Sequence, residues 1–420
     1  MASNNAFIRN SFRFVGELVT AKDDSKVFSQ QPIGDRWSKK ILNLGIKESD
    51  SNSVFVRIEG MIPNDKTCEL SRRSEAVVDG KRETIKIPYA NRNSETIKKQ
   101  VMQSALLVVD LETDLEKKKE REHLRFELQN LKAKEDADKD KITEVETKYN
   151  ELSDNYFTFV AEEDMIDKIK ENLDTIKGKR VKMTGTYSKS TYNEKYYKNY
   201  TVTRFELVGD EKKADSDEYK IPNELVINPM YIFFDKDSVD NQLKEEKKIY
   251  INGYVKGQQK NDDGKYVDVF FPEQVVINCE NFDLENEKHM GIIKFYENTF
   301  KTKKKTLQYI PIRCTVKEGA EEVDFTVEQL SDYQKMQIEL GIKTLADYAP
   351  KGGKFYGNRV SEIRFKGTRD DIEGFEEGSC ESDISVDEMT IAVSRPKEQT
   401  VEQVKQEAKK TENDALEDLF

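Results

Sequence analysis

Basic and aromatic residues are interleaved in one stretch of the chain in a way that suits binding to a nucleic-acid strand. Residues 177–208 contain eight Lys and Arg against two Glu, a net charge of +6, together with five Tyr. Cations follow a phosphate backbone, and aromatic rings stack on bases of any sequence. The predicted contacts are Tyr187, Lys189, Tyr192, Lys195, Tyr196, Tyr197, Lys198 and Tyr200. A structural role stays open, because Tyr favours strands and Lys keeps exposed strand edges from aggregating.

Two other segments contain candidates of the same kind. The single tryptophan, Trp37, stands with Arg36, Lys39 and Lys40 in a predicted loop, and Arg57 lies on the next predicted strand but one. Residues 292–317 carry seven basic residues against one Glu, and we interpret part of this segment as a basic loop after a strand. Its candidates are Phe300, Lys301, Lys303, Lys304 and Lys305. Alternatively, Trp37 anchors a core and the lysines are only solvated.

The motifs of common enzyme classes are absent from the sequence. It contains no phosphate loop, no dinucleotide fingerprint, no GxSxG and no HExxH. His123 and His289 are its only histidines, and its four cysteines are widely spaced. This pattern argues against a zinc site and a disulfide framework. We therefore expect a protein without catalytic residues, metal or cofactor.

Negative charge is concentrated at the end of the chain. Residues 370–420 contain sixteen Asp and Glu against five Lys and Arg, a net charge of −11, whereas the whole chain carries −12. A nearly neutral body with basic patches is compatible with a nucleic-acid partner. We expect residues 394–420 to form a disordered acidic tail. The sequence shows no signal peptide and no apolar run of about 18 residues, so we expect a soluble cytoplasmic protein without membrane contact.

Hydrophobic patterning predicts a mainly β fold with some helix, of the α+β class. Strands are predicted at 12–20, 41–47, 54–62, 179–187 and 199–208, and a helix at 163–177. Residues 110–155 predict an inserted helical hairpin, either a solvated spacer or an arm for self-association or a partner. The resulting order, three strands, a helix and two strands, is that of an OB-fold, a five-stranded barrel.

The remaining residues predict a second β unit. The sequence at 181–187 is echoed at 249–255, and 12–47 shows a weaker likeness to 292–317. We therefore expect an N-terminal OB-fold-like domain at 1–209, a linker at 210–220, a second OB-like domain at 221–393 and the tail. The fold class is thus two OB-fold-like β-barrel units with the helical hairpin inserted in the first.

The strand order, the Tyr-rich basic hairpin and the acidic tail together resemble OB-fold single-stranded-DNA-binding proteins of bacteriophages and prophages. The resemblance implies a non-enzymatic protein that coats single-stranded DNA during replication or recombination in a bacterial cytoplasm, with RNA left open. It also implies that replication or recombination proteins dock on the tail tip through Asp414, Leu416, Glu417, Asp418, Leu419 and Phe420. The chain is longer than the short bacterial form, so its oligomeric state is open. The main competing hypothesis is a viral structural or assembly adaptor that makes protein contacts only, and a metal-dependent nuclease is the third.

Overall fold

Two β units and an inserted pair of helices make up the fold in a computed structural model of the protein. The structure describes residues 10–65, 67–78, 81–132, 138–208, 226–261, 263–302, 305–323, 325–349, 355–370, 372, 375 and 378–393. The predicted linker and the predicted tail lie outside the described residues.

The first unit contains ten strands and five helices within its described residues. Its strands are β1 (Ser11–Val19), β2 (Phe28–Ile33), β3 (Trp37–Ser49), β4 (Asn52–Pro63), β5 (Glu69–Val78), β6 (Lys81–Pro88), β7 (Leu107–Asp110), β8 (Tyr156–Phe159), β9 (Arg180–Tyr192) and β10 (Lys195–Leu207). Its helices are α1 (Asp24–Val27), α2 (Glu95–Gln100), α3 (Leu115–Lys132), α4 (Lys139–Glu151) and α5 (Glu162–Ile176). The five predicted strands and the predicted helix are confirmed, whereas the β5–β6 hairpin was not predicted.

A curled half-barrel forms the centre of the first unit. Its strands lie in the order β4, β3, β1, β9 and β10, joined by antiparallel pairings. The inner face is apolar, and helix α5 covers it with Met165, Ile166 and Ile169. Gly60 on β4 lets this helix approach, since a Cβ there would lie 2.5 Å from the Glu163 backbone nitrogen.

The helical hairpin predicted at 110–155 is confirmed. Helices α3 and α4 follow β7 and precede β8, and these two short strands pair at the base of the hairpin. Leu124 and Leu128 of α3 pack with Val145 of α4 in a small separate core. Lys132 and Glu146 form an ion pair between the two helices. The apolar spacing seen in the sequence is therefore used to pack the helices on each other.

The second unit is a closed barrel of five strands with a helix between the third and the fourth. Its described strands are β11 (Val226–Phe234), β12 (Val239–Gln242), β13 (Lys248–Lys260), β14 (Tyr266–Asn278), β15 (Gln308–Val323), β16 (Phe355–Thr368) and β17 (Cys380–Glu381). Its described helices are α6 (Leu243–Glu246), α7 (Glu287–Thr299), α8 (Asp332–Glu339) and α9 (Leu345–Tyr348). Strand pairings run β11, β13, β14, β16, β15 and back to β11. This barrel-like structure is compatible with an OB-fold.

The two units are joined into one continuous sheet and one hydrophobic core. Strand β1 pairs with β11 through Phe12 and Ile227, and buried residues of both units belong to a single apolar cluster. Beside this junction, the Asn52 side chain donates a hydrogen bond to the Val316 carbonyl and accepts one from the Glu318 amide. Long-range packing therefore fixes the position of each unit against the other.

The two sequence likenesses do not mark equivalent elements. Residues 181–187 lie on β9, the fourth half-barrel strand, whereas 249–255 lie on β13, the second strand of the closed barrel. The segment from residue 292 begins in helix α7, so the strand predicted there is wrong. What the first pair shares is a glycine: a Cβ at Gly185 or at Gly253 would meet a neighbouring backbone oxygen, of Thr201 or Phe233 respectively. Both glycines permit close strand approach, which accounts for the likeness without a repeat.

Candidate nucleic-acid interface

The β9–β10 hairpin contains the predicted tyrosines and lysines and turns at Asn193 and Glu194. Both turn residues have positive φ, 48° and 62°, as a two-residue type I′ hairpin turn requires. Successive side chains of a strand point to opposite faces, so this hairpin divides the predicted contacts into two sets. One set faces the second unit and the other faces solvent.

The tyrosines nearest the base of the hairpin belong to the core. Tyr187 and Tyr200 are buried and pack on each other, and Tyr200 also contacts the ring of Phe14 edge-on. The Tyr187 hydroxyl donates to the Glu273 carboxylate in the second unit. Burial, with Glu273 nearby, raises the pKa of Tyr187 well above its ordinary value. Neither ring is available to stack on a base, so both are removed from the predicted contact set.

Three more predicted contacts tie the hairpin to the second unit. The Lys189 ammonium lies 3.2 Å from a Glu273 carboxylate oxygen, and burial lowers its pKa although Glu273 acts in the opposite direction. Lys198 donates to the Ser361 hydroxyl at 3.2 Å and lies 3.7 Å from Glu318. The Tyr196 hydroxyl donates to the Ala392 carbonyl at 2.9 Å. These side chains have structural partners, which explains their residue types without a ligand.

The opposite face of the hairpin presents aromatic and basic side chains to solvent. Tyr192 is 56% exposed and pairs across the strands with Lys195, while Tyr197, 42% exposed, pairs with Ser190. Directly paired residues share a face, so Tyr192, Lys195 and Tyr197 lie together; we refer to them as the tyrosine patch. The patch combines two accessible rings with a cation, as strand binding without sequence preference requires.

A second group lies on strands β3 and β4, on the outer face of the same half-barrel. The prediction that Trp37, Lys39 and Lys40 lie in a loop is wrong, because β3 begins at Trp37 and pairs there with both β2 and β4. Trp37 and Lys39 pair with Pro63 and Met61, which places them on the same face as Arg57. Lys39 and Arg57 both contact the Glu59 carboxylate, at 2.7 and 2.6 Å. Glu59 therefore neutralises part of this positive charge.

Not all of the predicted residues around Trp37 belong to this outer face. Lys40 points to the other side, where it lies 2.6 Å from Asp167 and 3.6 Å from Glu163 of helix α5. Arg36 is exposed in the turn that precedes β3. The structure therefore keeps Trp37, Lys39 and Arg57 together and assigns Lys40 to the packing of α5 against the half-barrel.

Sequence reasoning missed the most exposed ring of this face. Phe55 is 57% exposed and lies across Gly45 of β3, where an added Cβ would come within 2.9 Å of the ring. Met61, on the same side of β4, is also exposed. The signal was the alternation along β4, in which Val54, Val56 and Ile58 face the core and the residues between them face outward. We refer to Trp37, Lys39, Phe55, Arg57 and Met61 as the β3–β4 patch.

The basic segment of the second unit differs from its prediction. Phe300 follows helix α7 rather than a strand and is fully buried against Phe234 and Phe365. It is removed from the contact set, because its ring fills the barrel core. Lys301 pairs with Glu297 on the preceding helical turn at 3.0 Å, and Lys305 is exposed with a φ of 64°.

Several predicted contacts lie outside the described residues. In the basic segment these are Lys303 and Lys304. In the tail they are Asp414, Leu416, Glu417, Asp418, Leu419 and Phe420.

The chain matches no known family model and no curated protein. Within the described ranges, no helix has both the length and the apolar character needed to cross a membrane. The same ranges contain no group of three or more His, Cys, Asp or Glu side chains that could hold a metal ion. The exposed aromatic rings beside cations on the half-barrel are therefore the feature from which a function can be argued.

Proposed function

We propose that the protein binds single-stranded DNA without catalysing a reaction, and that it coats exposed strands during replication or recombination. The observation that carries this proposal is the tyrosine patch, whose two exposed rings flank a cation on one face of the β9–β10 hairpin. Stacking on each ring contributes about 1 to 3 kcal/mol per base. We infer that both β units are OB-folds. In that fold the hairpin between the last two strands commonly contacts the ligand, and β9–β10 is that hairpin of the first unit.

The β3–β4 patch supports the same proposal from another part of the outer surface. The strand register places it and the tyrosine patch on the same outer face of the half-barrel. The β3–β4 patch offers a DNA strand a further exposed ring, Phe55, and a further exposed cation, Arg57. The corresponding strands of OB-folds are the usual binding surface for oligonucleotides. Partner recruitment through residues 414–420 is part of the proposal and rests on the tail sequence.

Fluorescence anisotropy with labelled single-stranded and duplex DNA tests the proposal. We expect preference for the single strand and weaker binding as salt rises, since phosphate contacts release counterions. Tyr192→Ala combined with Tyr197→Ala should reduce affinity about tenfold or more, because two stacking contacts are lost. Tyr333→Ala is the control, since Tyr333 is at least as exposed as the patch tyrosines but lies on helix α8 of the second unit.

Two results would contradict this assignment. Equal affinity of the double variant and the wild type would remove the tyrosine patch from the interface, and failure of the wild type to bind any strand would end the proposal.

Deletion of residues 414–420 should preserve or strengthen strand binding while partner proteins are no longer retained. Loss of strand affinity on that deletion would argue against a docking role for the tail.

A second candidate function, an assembly adaptor, is favoured by a different surface. Tyr333, Met336, Leu340 and Ile342 expose apolar surface in and just after helix α8. Clustered exposed apolar side chains mark protein contacts. Stable incorporation into viral particles, together with no oligonucleotide binding, would favour the adaptor over strand binding.

A further inference from the structure

A cavity of about 870 Å³ lies between helix α3 and the outer face of β1, β9 and β10. Its floor is formed by residues such as Arg13, Lys182 and Arg204, which alternate along their strands with core residues. Its wall is the helical hairpin, through Lys118 and Arg121 of α3. This volume is within the range of small-molecule sites and is large enough for a nucleotide.

The lining of this cavity is strongly positive. Seven Lys and Arg side chains line it together with three carboxylates, an excess of four positive charges, although the chain as a whole is acidic. The carboxylates are already shared between cations. Asp110 contacts both Arg121 and Lys118, and Glu206 contacts both Lys182 and Arg204. Concave surfaces lined by one sign of charge concentrate counter-ions, so the cavity favours an anion.

Arg121 is the most unusual of these cations because it is buried yet only partly satisfied. Its side chain is 2% exposed, its guanidinium stacks on the Tyr156 ring at 4.3 Å, and one terminal nitrogen donates to Asp110. Its Nε and its other terminal nitrogen have no hydrogen-bond partner among the described residues. Buried donors without a partner are costly, and the planar guanidinium matches phosphate oxygens in pairs.

Two more cations of the same cavity are buried without enough hydrogen-bond acceptors or negative charge around them. The buried Nε of Arg13 has no partner in the described part of the chain. Burial lowers the pKa of Lys118, and the nearby Asp110 and Glu206 do not offset it. An anion held between these groups would supply hydrogen-bond acceptors and favour the charged form of the lysine.

We propose that this cavity binds a phosphate group, carried either by a free ligand of nucleotide size or by the end of a nucleic-acid strand. Both sources present a compact anion with several acceptor oxygens, which the guanidinium groups of Arg13 and Arg121 can bind. The site is lined by α3 and the base of the strands, whereas the tyrosine patch lies at the hairpin tip. The inference therefore goes beyond strand coating and does not depend on it.

Isothermal titration calorimetry of the full chain at low salt tests the site, with inorganic pyrophosphate as the first probe. We expect the wild type to bind and Arg13→Gln to weaken binding about tenfold or more, because a charged donor is lost. Arg82→Gln is the matched control, since Arg82 lies on a strand as Arg13 does, pairs with Glu75 and does not line the cavity. Lys119→Glu, an exposed change at the rim, serves as a second variant if Arg13→Gln fails to fold.

A pair of short oligonucleotides, identical except for a 5′-phosphate or a 5′-hydroxyl, separates the two sources. Tighter binding of the phosphorylated strand that Arg13→Gln abolishes assigns the site to strand ends. Pyrophosphate binding without that preference assigns it to a free ligand. The proposal is overturned if the wild type binds neither probe through phosphate, or if both cavity variants bind pyrophosphate as the wild type does. Neither result depends on the tyrosine patch, so strand coating is tested separately.

Discussion

Several residues that are typical of nucleic-acid contacts in the sequence are structural in the fold. The buried carboxylate of Glu273 on β14 accepts a hydrogen bond from the Tyr187 hydroxyl and lies beside the Lys189 ammonium. It therefore explains why a tyrosine and a lysine occupy these two positions. A buried ion pair needs such additional hydrogen bonds to offset the loss of hydration. Residue type alone therefore overestimates the binding surface, and the exposed fraction of each side chain corrects it.

The ionised carboxylate of Glu362 in the second unit is expected to stabilise the fold in a pH-dependent way. Its carboxylate contacts Lys248 and Arg364, each at 2.8 Å. Burial alone would raise the pKa of Glu362, but the hydrogen bonds from Lys248 and Arg364 outweigh it and hold the pKa below its ordinary value of 4.5. A lowered folded-state pKa stabilises the protein above 4.5, and this contribution is lost as the pH falls through the folded-state pKa.

We expect Glu362→Gln to lower the free energy of unfolding at neutral pH by about 1.5 to 3 kcal/mol, the range for hydrogen bonds to charged groups. The variant should also lose less stability than the wild type as the pH falls below 4.5. Urea unfolding at several pH values measures both effects. Glu339→Gln, at an exposed position on α8, is the control. Parallel pH profiles of wild type and Glu362→Gln would contradict the assigned pairing.

At the scale of elements, glycines decide how closely the strands approach. The closed barrel is completed where β11 meets β13 through Phe233 and Tyr254. Gly253 lies beside this pair, and a Cβ there would come within 2.5 Å of the Phe233 carbonyl oxygen. Because an added methyl group must displace backbone rather than a flexible side chain, closure depends on this glycine.

Gly253→Ala is therefore expected to destabilise the protein by about 1 to 3 kcal/mol, the usual cost of overpacking. Thermal or urea unfolding measures the change. Gly367→Ala on β16 of the same barrel is the matched control, since a Cβ at Gly367 meets no atom within 4 Å. If both variants unfold like the wild type, the close approach of β13 to β11 is not what closes the barrel.

For the whole molecule, the junction between the units determines how they unfold. The shared core, the β1–β11 pairing and the contacts of Asn52 with β15 all span that junction. Lys317 adds a hydrogen bond to the Ser51 carbonyl at 2.9 Å. Elements that share one core gain their stability together, so separation of the units would expose apolar surface on both.

We accordingly expect one cooperative unfolding transition. Trp37 is the only tryptophan and lies in the first unit, so its fluorescence reports that unit, while far-ultraviolet circular dichroism reports the strands of both. The two urea titrations should coincide. A fluorescence midpoint clearly separated from the circular-dichroism midpoint would show that the units unfold independently.

Local patterns in the sequence were enough to predict the five strands of the half-barrel, helix α5 and the α3–α4 hairpin, because their hydrophobic periods and turn residues are local. It also indicated the turn of the β9–β10 hairpin and the basic and aromatic character of its strands. The hydrophobic pattern predicts that the side chains of a strand alternate between two faces. It does not predict which of these faces another element covers. The strand predicted near residue 292 is wrong for a related reason. A short run of apolar residues, such as the one in α7, is compatible with the spacing of a helix and with that of a strand.

The exposure of each tyrosine, the closure of the second barrel and the position of the cavity all depend on contacts between distant parts of the chain. Tyr187 is buried, and its hydroxyl donates to the carboxylate of Glu273, 86 residues away. The basic cavity likewise joins Arg13, Arg121 and Arg204, which are far apart in the chain. Such arrangements depend on the packing of distant elements, and no short stretch of sequence contains that information.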